Sequence, residues 1–234
     1  MTFTWWDETD GTRLYLLTDW TDLATLQSAE QQAREHLAAN PTTQRPVLGA
    51  NVFDEAEREI VLAAGFGIAF SRVQLAIELT DAERVELPVG LELRPAGPED
   101  HRAVFEGNAE VFRERSLGYT QDTFEEFEKD VAEDFPDYSL WQLAWAGDEL
   151  AGWVISGVES DGTADTPWVG VRTAWRRLGL ASTLLRMNHH ELWSKGVRTA
   201  RLWTIAENPT GSVALYEGLG YRIEARQPRY RKAV

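Results

Sequence analysis

The chain has 234 residues and a net charge of −15, with 38 Asp and Glu against 23 Lys and Arg, which argues against nucleic acid as a partner because phosphate binding needs a basic field. With 43% hydrophobic residues, among them 10 Trp and 9 Phe, a substantial core is within reach, while the absence of cysteine excludes disulfides, thiolate catalysis and Cys-ligated zinc. No apolar run approaches the roughly 18 residues of a membrane span and no signal-peptide pattern opens the chain, so no membrane partner and a cytoplasmic location are expected.

Residues 2–20 read as a hairpin, with Phe3, Trp5 and Trp6 before a turn at Gly11 and a strand from Leu14 to Leu17. Thr21 to Asn40 is helical in pattern and Pro41 stops it; Val47 to Phe53 is a short strand. Asp54 caps a helix from Glu55 to about Ala64, ended by Gly65, and Ile68 to Leu79 is extended. Residues 81–90, with charges, Pro88 and Gly90, read as a linker between a first unit, 1–80, and a second, 91–234.

The second unit opens with a strand at Leu91–Arg94, followed by helices from Pro98 to about Asn108 and from Thr123 to Glu133. The acidic run Phe124–Asp137 contrasts with the basic tail carrying Arg222, Arg226, Arg229, Arg231 and Lys232. Trp141, Leu143 and Trp145 alternate with smaller residues, and Gly147-Asp148 turns the chain into a strand from Leu150 to Val158. A strand at Trp168–Val171, a helix from Leu180 to Lys195, a strand from Val197 to Ile205, a helix from about Pro209 to Glu217 and an extended tail complete the order. Hairpins mixed with crossover helices imply an α+β fold with a mixed sheet.

One offset relates the two units. Adding 155 carries Trp20 to Trp175, Leu23 to Leu178, Leu37 to Leu192 and Gly65-Phe66 to Gly220-Tyr221, and it keeps strands and helices in register over roughly 60 residues. An internal duplication is the reading this supports.

The segment that carries chemistry is Trp168-Val-Gly-Val-Arg-Thr-Ala-Trp-Arg-Arg-Leu-Gly-Leu-Ala181, in which a strand leads through a loop into a long helix. Unpaired amides at such a helix start, together with the helix dipole, make an anion site suited to a pyrophosphate. Roughly 30 residues later comes Glu207-Asn-Pro-Thr-Gly-Ser-Val-Ala-Leu-Tyr-Glu-Gly-Leu-Gly-Tyr221. On these two motifs residues 91–234 resemble the GNAT superfamily of acyl-CoA N-acyltransferases. Arg176, Gly179 and Ala181 match its Arg/Gln-x-x-Gly-x-Gly/Ala signature, and Asn208, Leu215-Tyr216-Glu217 and Leu219-Gly220-Tyr221 match the later one. Arg177 and Leu178 depart from the Gly and Arg common there, which leaves the backbone amides in place.

The resemblance implies a GNAT fold and acetyl-CoA as acyl donor, with no metal. It implies that the amides of Arg177, Leu178, Gly179, Leu180 and Ala181 hold the pyrophosphate, with Arg176 in the signature. Val169, Gly170 and Val171 would run beside the pantetheine arm, Asn208 would contact it, and Tyr216 would protonate the leaving thiolate. Asp165, on the approach to the strand, is the expected base, with Glu114, Glu159 and Glu207 as rivals. His189 and His190 read as surface or packing residues, and Trp141, Trp145 and Trp153 are weighed as acceptor lining against core packing.

Projected onto the first unit, Arg176, Arg177, Gly179 and Ala181 fall on Thr21, Asp22, Ala24 and Leu26, Asn208 on Phe53 and Tyr216 on Val61. The first unit therefore reads as a truncated, degenerate GNAT-like repeat, similar to tandem GNAT proteins, a class that includes mycothiol synthases. Its half-sheet leaves an edge to be covered by the second unit or by another chain, so a homodimer is one expectation. The function that follows is acetyl transfer to the primary amine of a small molecule. The alternatives are a non-catalytic acetyl-CoA-binding regulatory module and an enzyme acting on protein N-termini or lysines.

Overall fold

In the computed structural model, which describes residues 2–81, 85–113 and 118–234, ten strands form one sheet. The first half supplies β1 (Phe3–Asp7), β2 (Thr12–Leu17), α1 (Leu23–Ala39), β3 (Arg45–Asn51), α2 (Glu55–Ala63) and β4 (Gly67–Glu78). The second supplies β5 (Glu92–Leu93), α3 (His101–Arg113), α4 (Phe124–Asp134), β6 (Trp141–Ala146), β7 (Glu149–Val158), β8 (Ala164–Val171), α5 (Leu180–Ser194), β9 (Thr199–Ile205), α6 (Ser212–Gly218) and β10 (Arg222–Ala233). The element types follow the expected order, and the mixed α+β architecture is as expected. Several boundaries move: α3 runs on to Arg113 past the expected end near Asn108, and β3 starts and ends two residues earlier than expected. Pro98–Asp100 is a short 3-10 turn before α3, Pro209–Gly211 is a turn that delays α6 until Ser212, and β8 begins four residues earlier than anticipated.

The sheet order is β1-β2-β3-β10-β4-β9-β8-β7-β6-β5. The last strand of each half lies inside the other half: β10 between β3 and β4, and β4 between β10 and β9. The 155-residue offset maps β4 onto β10 end to end, and their antiparallel pairing centres on Arg72 opposite Gln227, which that offset also equates. Register shifts at Ala69 and Glu224 repeat the relation, so even the irregularities are mirrored. The half-sheet edge at β3 is thus closed by β10 of the same chain, and the sheet's outer edges are β1 and β5.

Helices α1 and α2 pack on one face of the first half, around Tyr15, Leu26, Leu48 and Tyr230. On that same face in the second half, α5 and α6 enclose Val73, Leu75, Leu184, Leu202 and Tyr216. The opposite face is covered by α3 and α4 only in the second half, where Val104, Phe127, Trp141, Trp145 and Trp153 form the core. Strand β6 is therefore buried on both sides, which explains its apolar density. The three tryptophans weighed as acceptor lining are core residues: Trp153 is fully buried and donates its indole N–H to Asn108 Oδ1 at 2.9 Å.

Candidate active site

Two parallel strand pairs, related by the offset, differ in one decisive way. In the first half β2 and β3 stay paired from Thr12 opposite Arg45 to Leu17 opposite Ala50. In the second half β8 and β9 pair only at Ala164–Ala200 and Asp165–Arg201, and beyond that they diverge. A bulge accompanies the divergence, because Thr166 and Pro167 together face the single residue Ser156 of β7. Backbone groups of β8 past the bulge have no β9 partner, so they are available to an extended ligand laid between the strands.

The slot so opened is lined by Phe112, Thr166, Pro167, Val169, Trp203 and Tyr216. It adjoins a groove of about 400 Å³ that runs over Val169–Val171 to the loop before α5 and shares Val169 and Tyr216 with the slot. Gly170 is required by close packing: a Cβ there would lie 2.2 Å from the Trp153 ring, so β8 rests directly on a side chain fixed by Asn108.

The loop is built for backbone exposure. Arg177 and Gly179 both have left-handed conformations, with φ of 67° and 79°, which an L residue adopts only at a cost. Gly179 is the N-cap of α5 and has no side chain to offer, and the first helical bond is donated by the Thr183 amide to Gly179 O at 3.0 Å. The amides of Leu180, Ala181 and Ser182 are therefore without intrahelical partners. Arg176 turns back to donate from Nε to Val171 O at 2.9 Å, which ties the loop to β8. Arg177 and Leu178 are exposed beside it.

The counterpart helix α1 is closed. Asp22 accepts from the Thr25 amide at 2.8 Å in a reciprocal capping box, and its carboxyl is held below the usual range, first by the Thr25 backbone hydrogen bond. An anion would meet a carboxylate there.

Tyr216 sits at the junction of groove and slot, buried on α6, with its ring against Tyr221 at 5.7 Å. Burial raises its phenol far above the ordinary value, so the hydroxyl keeps a proton that it can donate. Asn208 lines the slot while its Oδ1 accepts the Thr210 amide at 2.9 Å. Asp165 lies within β8 at the closed end of the splay, one residue before Thr166. Desolvation raises its carboxyl; Glu159 adds to this and Arg72 opposes it. Glu207 is exposed and accepts the Ser71 amide at 2.8 Å, which gives it a structural task, and Glu114 lies outside the described residues. His189 is buried on α5, where its Nε2 shares a 2.8 Å hydrogen bond with the Tyr221 hydroxyl, while His190 is partly exposed. Among the described residues no cluster of three or more His, Asp or Glu is arranged around a metal position, and no helix is long and apolar enough to cross a membrane. Sequence reasoning missed Phe112, Thr166 and Trp203 in the slot, and Trp175 and Ser212 in the groove; nothing in their local spacing signals it.

The sequence model of the acetyltransferase (GNAT) family matches residues 103–221, just over half of the chain and all of the site described. The chain belongs to this family. Over 88 residues it is 34% identical to a mycothiol acetyltransferase of Corynebacterium efficiens, covering 38% of this chain and 29% of that protein. A mycothiol acetyltransferase of Corynebacterium glutamicum is 32% identical over 88 residues, 38% of this chain and 30% of its own length. The match thus spans less than a third of either relative. In fold the chain is similar to a GCN5-related N-acetyltransferase from Sphaerobacter thermophilus, with a TM-score of 0.76 at 22% identity over 99% of this chain and 76% of that one. It is also similar to a tandem GNAT protein from the clavulanic acid biosynthesis pathway, with a TM-score of 0.59 at 15% identity over 95% of this chain and 75% of that one.

Proposed function

We propose that the protein transfers the acetyl group of acetyl-CoA to the primary amine of a small molecule, by direct attack of the amine on the thioester. The observation that carries this reading is the β8–β9 splay opening onto the uncapped start of α5. The amides of residues 177–181 suit the pyrophosphate, and the edge of β8 at Val169–Val171, which has no β9 partner, suits the pantetheine amides. Asn208, which lines the slot, would contact that arm.

In the reaction the amine nitrogen bonds to the thioester carbonyl carbon, the C–S bond breaks, and the amine loses a proton. Tyr216, protonated and placed where groove and slot meet, supplies the proton taken by the departing thiolate sulfur. Asp165, with its raised carboxyl on β8, receives the amine proton through water. The rate gain comes mainly from holding the two reactants together. The first half, with β2–β3 closed and α1 capped by Asp22, reads as a degenerate repeat that has kept the fold and lost the donor site.

Tyr216→Phe is the test that separates an acetyltransferase from an acetyl-CoA sensor. The ring and its packing remain, so acetyl-CoA affinity should hold while the turnover number falls about 10²–10⁴-fold. Free CoA release from a panel of amines reads the rate. An unchanged turnover number with weakened acetyl-CoA binding would make Tyr216 a cofactor contact, and a wild type that binds acetyl-CoA yet acetylates no amine would favour the sensor.

A further inference from the structure

On the sheet face that α3 and α4 leave uncovered lies a second cavity of about 360 Å³, floored by Leu14, Leu16 and Gly49 of the first half. One wall includes Tyr119, whose carbonyl accepts the Thr9 amide at 3.1 Å, so the β1–β2 turn holds that residue in place. Burial pushes the Tyr119 phenol up to about 12, and its hydroxyl donates to Gln121 at 2.8 Å. The cavity adjoins the slot through two ring contacts. Phe112 of the slot packs on Tyr119 at 5.8 Å, and Trp203 of the slot lies under the Arg72 guanidinium at 5.0 Å.

The charged groups facing this cavity are Glu8, Arg72, Arg229 and Arg231. Glu8 is 4% exposed and takes Arg231 in a two-pronged ion pair, so that these two charges cancel. Arg72 and Arg229 are not paired in this way, although the Asp165 carboxylate is within electrostatic reach of Arg72. Among the described residues no carboxylate stands within ion-pair distance of either; Arg72 lies over Trp203, and Arg229 reaches only Gln227 Oε1 at 3.4 Å. The register sets Arg229 opposite Phe70 and Arg72 opposite Gln227, with no bulge between, so the two arginines are diagonal neighbours on one face. Burial, and then the charge of Arg72, lowers the Arg229 pKa, which places the two guanidiniums within electrostatic reach of each other. Arg72 is exposed and Arg229 half-buried, so the two like charges repel through partly screened space, and an anion lodged between the guanidiniums would relieve that repulsion.

We propose that this cavity binds the anionic end of the acceptor, a carboxylate held by the paired guanidiniums of Arg72 and Arg229 while the amine at the other end reaches the splay. The acceptor class is therefore a carboxylate-bearing primary amine, which narrows the acetyl-transfer reading above and rests on it. Planar guanidinium forks match a carboxylate in geometry as well as charge.

The test is a calorimetric titration of glutarate, as a carboxylate probe, into the full chain saturated with CoA at low ionic strength. Wild type should bind glutarate, Arg72→Gln and Arg229→Gln should each weaken it by about tenfold, and all three proteins should bind CoA equally, which also reports an intact fold. Arg226→Gln, on β10 with its side chain on the opposite face, is the control for lost net charge and should leave glutarate binding unchanged. In parallel, 4-aminobutyrate should be acetylated with a higher kcat/KM than butylamine, a preference that both variants lose through KM. No heat with glutarate in wild type, or binding in Arg72→Gln and Arg229→Gln equal to wild type, would overturn the carboxylate site and leave the acetyl-CoA site standing. Failure of wild type to bind CoA would sink both.

Discussion

Cutting the chain at the expected linker tests what the first half does for the second. Residues 81–234 retain every residue of the donor site but lack β4. In the full chain β4 fills the space between β9 and β10, pairing with both along most of its 12 residues. Its Val73 and Leu75 are fully buried in the same cluster as Tyr216 and Tyr221. Burying such side chains contributes about 1.5–3 kcal/mol each, so these two alone account for roughly 3–6 kcal/mol against a typical total of about 5–15 kcal/mol. The cut also opens facing edges on β9 and β10, whose backbone groups lose their partners. The truncated protein should therefore show no cooperative urea transition by circular dichroism and should bind no acetyl-CoA. In the full chain, Leu75→Ala should cost about 2–5 kcal/mol and shift a single transition of the whole molecule. A truncated chain that unfolds cooperatively, with a midpoint near that of the full protein, would refute the reasoning and make the second half an independent domain.

Titration calorimetry should find one acetyl-CoA site per chain, since β2–β3 is closed and Asp22 caps α1; two equivalent sites would contradict this. Asp165→Asn should remove the base-dependent limb of the kcat/KM pH profile while leaving acetyl-CoA affinity intact, and an unchanged profile would assign the proton to another acceptor. His189, whose pKa burial lowers to about 4 from an ordinary value near 6.5, binds its proton more readily in the unfolded chain. It should therefore make stability fall as pH drops from about 6.5 towards 4, by at most about 3 kcal/mol. Urea midpoints of wild type and His189→Gln across that range should converge in slope elsewhere and differ within it; parallel curves would show that His189 is not the group responsible.

What was legible in the sequence is what local chemistry encodes. Asp54 announces a helix start because its side chain caps an amide three residues on, and Gly65 and Gly196 end helices because each takes a left-handed turn. The loop from Arg176 to Ala181 and the Asn208–Tyr221 segment could be read for the same reason, since an uncapped helix start and a tyrosine on a short helix are features of contiguous residues. The 155-residue offset was visible because matching halves repeat the same local signals.

Only the tertiary structure decided which strands meet. An alternating strand such as β4 suits either side of several neighbours, and its place between β9 and β10 depends on contacts more than 120 residues away in sequence, such as Leu75 with Leu202. The divergence of β8 from β9, against the closure of β2 on β3, is likewise a matter of long-range pairing with no local mark. Asp165 falls at the closed end of the splay because β8 begins earlier than its composition suggests, and Trp141, Trp145 and Trp153 become core because two helices cover that face. The basic tail was plain in the sequence, but which arginine meets a carboxylate depends on the fold: Glu8 lies 223 positions from Arg231 and reaches it, while Arg72 and Arg229 face each other across adjacent strands.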